Sequence, residues 1–100
     1  MDRILHVPNL AEINKVIPKG RMGVSDLEGM RLAKLAIGRE TIVEIGAHAG
    51  RSASFLATGL RESKTQGTVY SIDLWEGVVD ENDYKANLRK LGLGEYCVPF

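Results

Sequence analysis

The residues with the clearest chemical potential are an acid, two glycines and a serine within nine positions. Glu44 is followed by Gly46 and Gly50 and then by Ser52. The glycines allow positive φ and let a ligand approach the main chain, and the start of a helix behind them favours an anionic group. Glu44 is a charged residue near the end of an apolar run. Such a charge is expected where the end of a strand meets a polar ligand. Ser52 could cap that helix or bind a carboxylate.

A second acid follows the next apolar run. Asp73 comes about twenty residues after the glycines, at a place where an acid binds ribose hydroxyls in nucleotide-binding α/β units. Trp75 follows two residues later and offers a large rigid face to an adenine, although a purely packing role is the alternative. Together with the glycine loop, these residues predict a nucleoside ligand.

Strands and helices alternate around these residues. Residues 41–45 and 68–72 are short, apolar and β-branched, which predicts strands buried in a parallel sheet, and residues 96–100 open a third strand. A helix is predicted over residues 9–17, with Asn9 as a possible cap. Further helices are predicted directly after the glycine loop and over residues 81–91.

The helix before the first strand has clear end signals. Ser25 and Glu28 form a capping box, Gly38 ends the helix, and its apolar side chains, including Leu27 and Leu35, are expected to cover the sheet. The alternation of helices and strands predicts an α/β fold: a three-layer Rossmann-like parallel sheet, of which strands 1 to 3 make about half of a doubly wound domain.

Residues 44–52 (EIGAHAGRS) and 69–75 (VYSIDLW) resemble the class I S-adenosylmethionine-dependent methyltransferases. Within that group the chain is most similar to small O-methyltransferase-like proteins whose loop reads acid-x-Gly-x-x-x-Gly-x-Ser. The resemblance covers residues 20–100 and implies S-adenosyl-L-methionine as the cofactor. It also implies that this chain carries the cofactor half of the domain, because the family's acceptor-binding segment follows the fourth strand.

The resemblance assigns roles to individual residues. Glu44 and the glycine loop would meet the methionine half of the cofactor, and Ser52 would take its carboxylate. Asp73 would hold the ribose hydroxyls and Trp75 would border the adenine. The cofactor-binding residues implied in this way are Glu44, Gly46, Ala47, His48, Gly50, Ser52, Asp73, Leu74 and Trp75. His48 stands where many relatives have glycine, and a packing role is favoured for it over acid–base chemistry. No catalytic residue is implied.

The whole chain has the composition of one small globular domain. Its 100 residues carry 13 basic and 13 acidic side chains, which argues against nucleic-acid or anionic-membrane partners. Residues 1–22 are predicted to form an N-terminal helix or arm, and residues 23–100 the cofactor-binding half-domain. A single cysteine and the lack of a long apolar run predict a cytoplasmic protein. No histidine, cysteine or carboxylate cluster has metal-ligand spacing.

Three functions remain open. The first is a methyltransferase, with O-methyl transfer to an unknown small molecule. The second is a non-catalytic adenosylmethionine- or nucleoside-binding or self-associating half-domain. The third, an NAD-type oxidoreductase, is disfavoured because His48 interrupts the Gly-x-Gly-x-x-Gly pattern. Because strand 1 has neither lysine nor proline to protect an open edge, a homodimer through that edge is also expected.

Overall fold

The chain folds into helices and strands in the order that the sequence predicts. The computed structural model describes residues 9–21, 23–64 and 66–100. Its elements are α1 (Leu10–Val16), α2 (Asp26–Ala36), β1 (Thr41–Ile45), α3 (Arg51–Ser63), β2 (Thr68–Ile72), α4 (Glu81–Lys90), a 3-10 turn (Gly94–Tyr96) and β3 (Cys97–Pro99). The first eight residues of the predicted N-terminal arm lie outside the described residues. The proposed boundary between residues 22 and 23 stays a prediction.

Capping boxes fix where α2 and α4 begin. At α2 the Ser25 hydroxyl accepts the Glu28 N–H at 3.1 Å, and the Glu28 carboxylate accepts the Ser25 N–H at 2.8 Å. The predicted box is therefore confirmed. Asp80 and Asp83 form the same reciprocal pair at the start of α4. Each pair satisfies two main-chain donors that a helix start leaves without partners.

Asn9 occupies the predicted cap position of α1 without capping it. Its side chain makes no hydrogen bond to the helix. The amide oxygen instead accepts the Thr58 hydroxyl of α3 at 3.1 Å. The prediction that the Asn9 side chain caps α1 is therefore wrong. This side chain connects α1 to α3 instead.

The three strands form one parallel sheet in the order β1-β2-β3. Ile42 pairs with Val69, which in turn pairs with Cys97. Because the carboxyl ends of parallel strands meet at one edge, the loops that follow β1 and β2 lie side by side. Among the described strands, β1 has a partner on one side only.

The helices pack on one face of this sheet. Val69 of β2 is completely buried with Leu60 of α3 and with Tyr84 and Leu88 of α4. A second cluster joins α1, α2 and α3 through Ile13, Ala33 and Phe55.

Glycines let α2 approach α3 closely. A Cβ atom at Gly59 would overlap the Ala33 carbonyl oxygen, and one at Gly29 would overlap the Phe55 ring. The described residues thus supply the sheet and one helical layer of the Rossmann-like architecture.

The expectation of fully buried strands is wrong for the opposite face of the sheet, which is exposed. Val43 and Ile45 of β1 are 58% and 85% exposed, and Ile72, Val98 and Phe100 on the same face are also exposed. The reason is that no described helix covers this face.

Two leucines of α2 also depart from expectation. Leu27 and Leu35 are exposed, whereas Gly29, Ala33 and Ala36 are buried. The helix packs through its small residues, because these let the α3 backbone come close.

No helix in the described part of the chain is long and apolar enough to cross a membrane.

Candidate functional site

The loop between β1 and α3 depends on two glycines with positive φ. Gly46 has φ +86°, and its N–H donates to the Ile72 carbonyl of β2 at 2.8 Å. Gly50 has φ +98° and occupies the N-cap position of α3. A Cβ atom at Gly50 would lie 3.3 Å from the Tyr84 ring. Gly50 therefore serves both the left-handed turn and the close packing of α4 behind the loop.

Asp73 joins this loop to the end of β2. One carboxylate oxygen accepts the His48 N–H and the other accepts the Trp75 N–H, each at 2.8 Å. His48 and Trp75 have φ of +50° and +49°, the left-handed conformation that L-residues avoid. The N–H groups of Trp75 and His48 lower the pKa of Asp73, since they favour its charged form. The carboxylate thus stabilises two uncommon backbone turns at once.

The indole of Trp75 is held in place on two sides. Its Nε1–H donates to the His48 carbonyl at 2.8 Å, and its ring meets the Tyr84 ring edge-on with centroids 5.4 Å apart. Leu74, the residue between Asp73 and Trp75, is 83% exposed. An oriented aromatic ring and an exposed apolar side chain therefore stand beside the acid.

Glu44 is the acceptor of a hydroxyl network on the helix side of the sheet. Ser52 donates to one carboxylate oxygen at 2.6 Å and Ser71 donates to the other at 2.8 Å. The Tyr84 hydroxyl donates to Ser71 at 2.6 Å, and burial raises the pKa of Tyr84 well above its usual value, which keeps this hydroxyl protonated. Burial likewise raises the pKa of the neighbouring Cys97 to about 12. The network holds the charge of Glu44 between two strands and α3.

Two residues of the site have no distinctive sequence signal. Arg51 looks like an ordinary solvated arginine on a helix, yet its side chain is 5% exposed. Asn87 of α4 donates to the Ala49 carbonyl of the glycine loop at 3.1 Å. Sequence reasoning missed both residues because their partners are distant in the sequence. Ile17, an acceptor of Arg51, is 34 positions away, and Ala49, the acceptor of Asn87, is 38 positions away.

A cavity of about 700 Å³ lies over the glycine loop. Its lining includes Ala47, His48 and Ser52 and, from the earlier part of the chain, residues 16–21, 23 and 24. The volume falls in the range of small-molecule sites. Among the described residues, no group of three or more His, Cys, Asp or Glu side chains could hold a metal ion.

The predicted site residues converge at the carboxyl ends of β1 and β2. The Asp73–His48 bond links the two loops, and the Ser52–Glu44 bond links α3 to β1. The sequence-predicted residues in this region are Glu44, Gly46, Ala47, His48, Gly50, Ser52, Asp73, Leu74 and Trp75.

A family model described as a methyltransferase domain matches residues 43–99, which is more than half of the chain. The chain belongs to this methyltransferase family. The match includes the glycine loop, Asp73 and the hydroxyl network around Glu44. The predicted family is confirmed, and at the level of that family the reaction class is S-adenosylmethionine-dependent methyl transfer.

A solved structure agrees with the fold. The crystal structure of cofactor-bound Rv0187 from MTB superimposes with a TM-score of 0.68 at 25% sequence identity. The alignment covers 91% of this chain and 40% of that one, so the chain spans less than half the length of this neighbour. The predicted Rossmann-like α/β class is thereby confirmed. No curated protein matches the chain.

Proposed function

We propose that this methyltransferase domain binds S-adenosyl-L-methionine across the carboxyl ends of β1 and β2 and serves O-methyl transfer to a small molecule. The observation that carries the proposal is the Asp73 carboxylate, bonded at 2.8 Å to the glycine loop and placed beside Trp75. This arrangement brings three features to one edge of the sheet: an acid that can bind a ribose, an aromatic face, and a glycine loop whose backbone a ligand can approach closely.

The adenosine end of the ligand would lie at Asp73. Each carboxylate oxygen accepts one main-chain N–H, and a carboxylate oxygen has a second lone pair for a ribose hydroxyl. The lowered pKa of Asp73 keeps it charged at neutral pH, which strengthens such hydrogen bonds. Trp75 and Leu74 supply the apolar surface for the adenine.

The methionine end would meet the glycine loop and the start of α3. Main-chain N–H groups of a first helical turn have no partners within the helix and favour a carboxylate. Ser52 was expected to bind that carboxylate, but its hydroxyl already donates a hydrogen bond to Glu44. We therefore assign the carboxylate to the α3 N-terminus, with Ala47 and His48 beside it, and the ammonium group to the charge of Glu44.

The chemistry requires alignment more than an elaborate catalytic group. The cofactor supplies an activated methyl group that leaves the sulfonium in a direct displacement. The residues of this chain would hold the cofactor in one orientation, which lowers the entropic part of the barrier. No residue described above is placed to choose the methyl acceptor, and we expect the purified chain alone not to methylate small hydroxyl or catechol acceptors at an enzymatic rate. A cytoplasmic location also stays a prediction.

Calorimetric titration with S-adenosylhomocysteine, S-adenosylmethionine and NAD tests the proposal. We expect one molecule of either adenosyl ligand to bind each chain, and NAD to bind more weakly. A folded chain that binds neither adenosyl ligand would refute the proposed function. Tighter binding of NAD would favour the dinucleotide alternative, while cofactor binding together with methyl transfer to a catechol would overturn the expectation of an inactive chain.

A further inference from the structure

Arg51 is the first residue of α3 and directly follows the glycine loop. A nearly buried guanidinium is costly unless its N–H groups are bonded and its charge is balanced. Here it donates to the Val24 carbonyl at 2.7 Å, the Asn14 side chain at 2.8 Å, the Ile17 carbonyl at 2.9 Å and the Asp26 carboxylate at 3.1 Å. It also lies over the buried Phe55 ring, 5.3 Å from its centroid.

These partners lie on both sides of one short segment. Asn14 and Ile17 come before it, and Val24 and Asp26 come after it. We call residues 18–23 the strap; the structure describes all of it except Met22. One guanidinium therefore fixes both ends of the strap to the first turn of α3.

The strap lines the same cavity as the glycine loop. Lys19, Gly20, Arg21 and Gly23 line it together with Ala47, whereas Asp73 and Trp75 are not among its lining residues. Inside the strap the Gly23 N–H donates to the Lys19 carbonyl at 3.0 Å, but Pro18, Lys19, Gly20 and Arg21 are exposed. The strap thus has little packing of its own, and its position depends on its anchored ends.

We propose that Arg51 is a positioning residue for the ligand: it holds the strap as the outer wall around the methionine end of the cofactor. The inference rests on the proposed function, because it assumes that this end occupies the cavity over the glycine loop. It makes a distinct claim, since the adenosine end at Asp73 should not depend on Arg51.

Comparing two ligands separates the two ends of the site. S-adenosylhomocysteine carries the amino-acid end, and 5′-methylthioadenosine lacks it. For Arg51→Ala we expect the affinity for S-adenosylhomocysteine to fall about tenfold or more, because the strap must then be ordered at the expense of binding. The affinity for 5′-methylthioadenosine should change less than about threefold, because the variant leaves the contacts of the adenosine subsite intact.

Matched variants separate positioning from general stability. Arg51→Lys should give an intermediate loss, because a compact ammonium cannot reach acceptors at both ends of the strap. Asp26→Asn removes a charge but keeps an acceptor oxygen: Asp26 is 52% exposed and the three other acceptors of Arg51 remain, so the loss of S-adenosylhomocysteine affinity should be smaller than in Arg51→Lys. If Arg51→Ala does not fold, Pro18→Gly tests the same wall, since it loosens the strap without touching Arg51.

Hydrogen exchange gives an independent readout. Exchange of the Gly23 amide should become faster in Arg51→Lys, while amides in the middle of α3 keep their protection. Unchanged Gly23 exchange together with an unchanged ratio of the two affinities would overturn this inference and leave the proposed function standing. A wild-type chain that binds 5′-methylthioadenosine as tightly as S-adenosylhomocysteine would also overturn it. A folded wild-type chain that binds neither ligand would refute the proposed function, and this inference with it.

Discussion

Replacing Asp73 by alanine tests the link between the two loops of the site. The change removes the hydrogen bonds from the His48 and Trp75 N–H groups. Hydrogen bonds to charged groups contribute about 1.5–3 kcal/mol each. Because Asp73 is only partly buried, both bonds are taken at the lower end, for a sum of about 3 kcal/mol. The left-handed turns at His48 and Trp75 lose the group that holds them.

Urea unfolding of Asp73→Ala measures this loss. Trp75 is the single tryptophan of the chain, so its fluorescence reports on the site, while circular dichroism reports on the helices. We expect the free energy of unfolding to fall by about 3 kcal/mol, a large share of the stability of a small domain. Affinity for S-adenosylhomocysteine should also fall, by about ten- to hundredfold, because the ribose loses its charged acceptor.

Asp83→Ala provides a matched control. Asp83 also accepts a main-chain N–H, that of Asp80 at 3.0 Å, but it belongs to the start of α4 and does not bond to the glycine loop. Its removal should lower stability less and leave ligand affinity unchanged. An Asp73→Ala chain as stable as the wild type would refute the argument that this carboxylate holds the two loops together.

The pH dependence of stability follows from the same carboxylate. Its pKa in the folded chain is below the ordinary value of 3.8 because the Trp75 and His48 N–H groups favour the charged form. The folded state therefore binds a proton less readily than the unfolded state. The contribution is complete above the unfolded pKa and is lost as the pH falls through the lower folded pKa. Acid titration of stability should be shallower in Asp73→Ala than in the wild type; equal slopes would contradict this account.

Three further predictions concern the rest of the fold. Tyr84→Phe should lower the free energy of unfolding by about 1 kcal/mol in urea, because the buried Ser71 hydroxyl loses its donor; no loss would count against the network. His48→Gly should raise thermal stability by up to about 1 kcal/mol, since glycine adopts φ +50° without strain; a lower melting temperature would contradict this. Light scattering should show a homodimer through the β1 edge that Val43→Lys weakens; a monomer at tens of micromolar would refute it.

Local sequence patterns were sufficient to place the elements. The bounds of β1 and β2 coincide with the predicted runs, since each is a short β-branched stretch ended by a polar or glycine turn. The start of α2 follows from Ser25 and Glu28, which lie three positions apart and satisfy each other. The convergence of the Glu44 and Asp73 regions also follows from sequence, because parallel strands bring their carboxyl ends together.

The parts that sequence could not predict depend on contacts between distant positions. Arg51 is buried because acceptors from α1 and from the start of α2 surround it. The Tyr84 hydroxyl reaches Ser71 only once α4 packs behind β2. Likewise, the periodicity of α2 marks Leu27 as apolar but does not indicate that the helix packs through its glycine and alanines.

The most direct test of the central claim is to map the binding of S-adenosylhomocysteine by ¹H–¹⁵N NMR on the uniformly labelled chain. Ligand binding across the ends of β1 and β2 predicts shifts of the Gly46, His48 and Gly50 amides and of the Asp73 and Trp75 amides, including the Trp75 indole N–H that bonds to His48. Amides on the far side of α2, such as Leu35, should stay unchanged. Well-dispersed spectra without shifts at saturating ligand, or shifts confined to residues outside the two loops, would contradict the account.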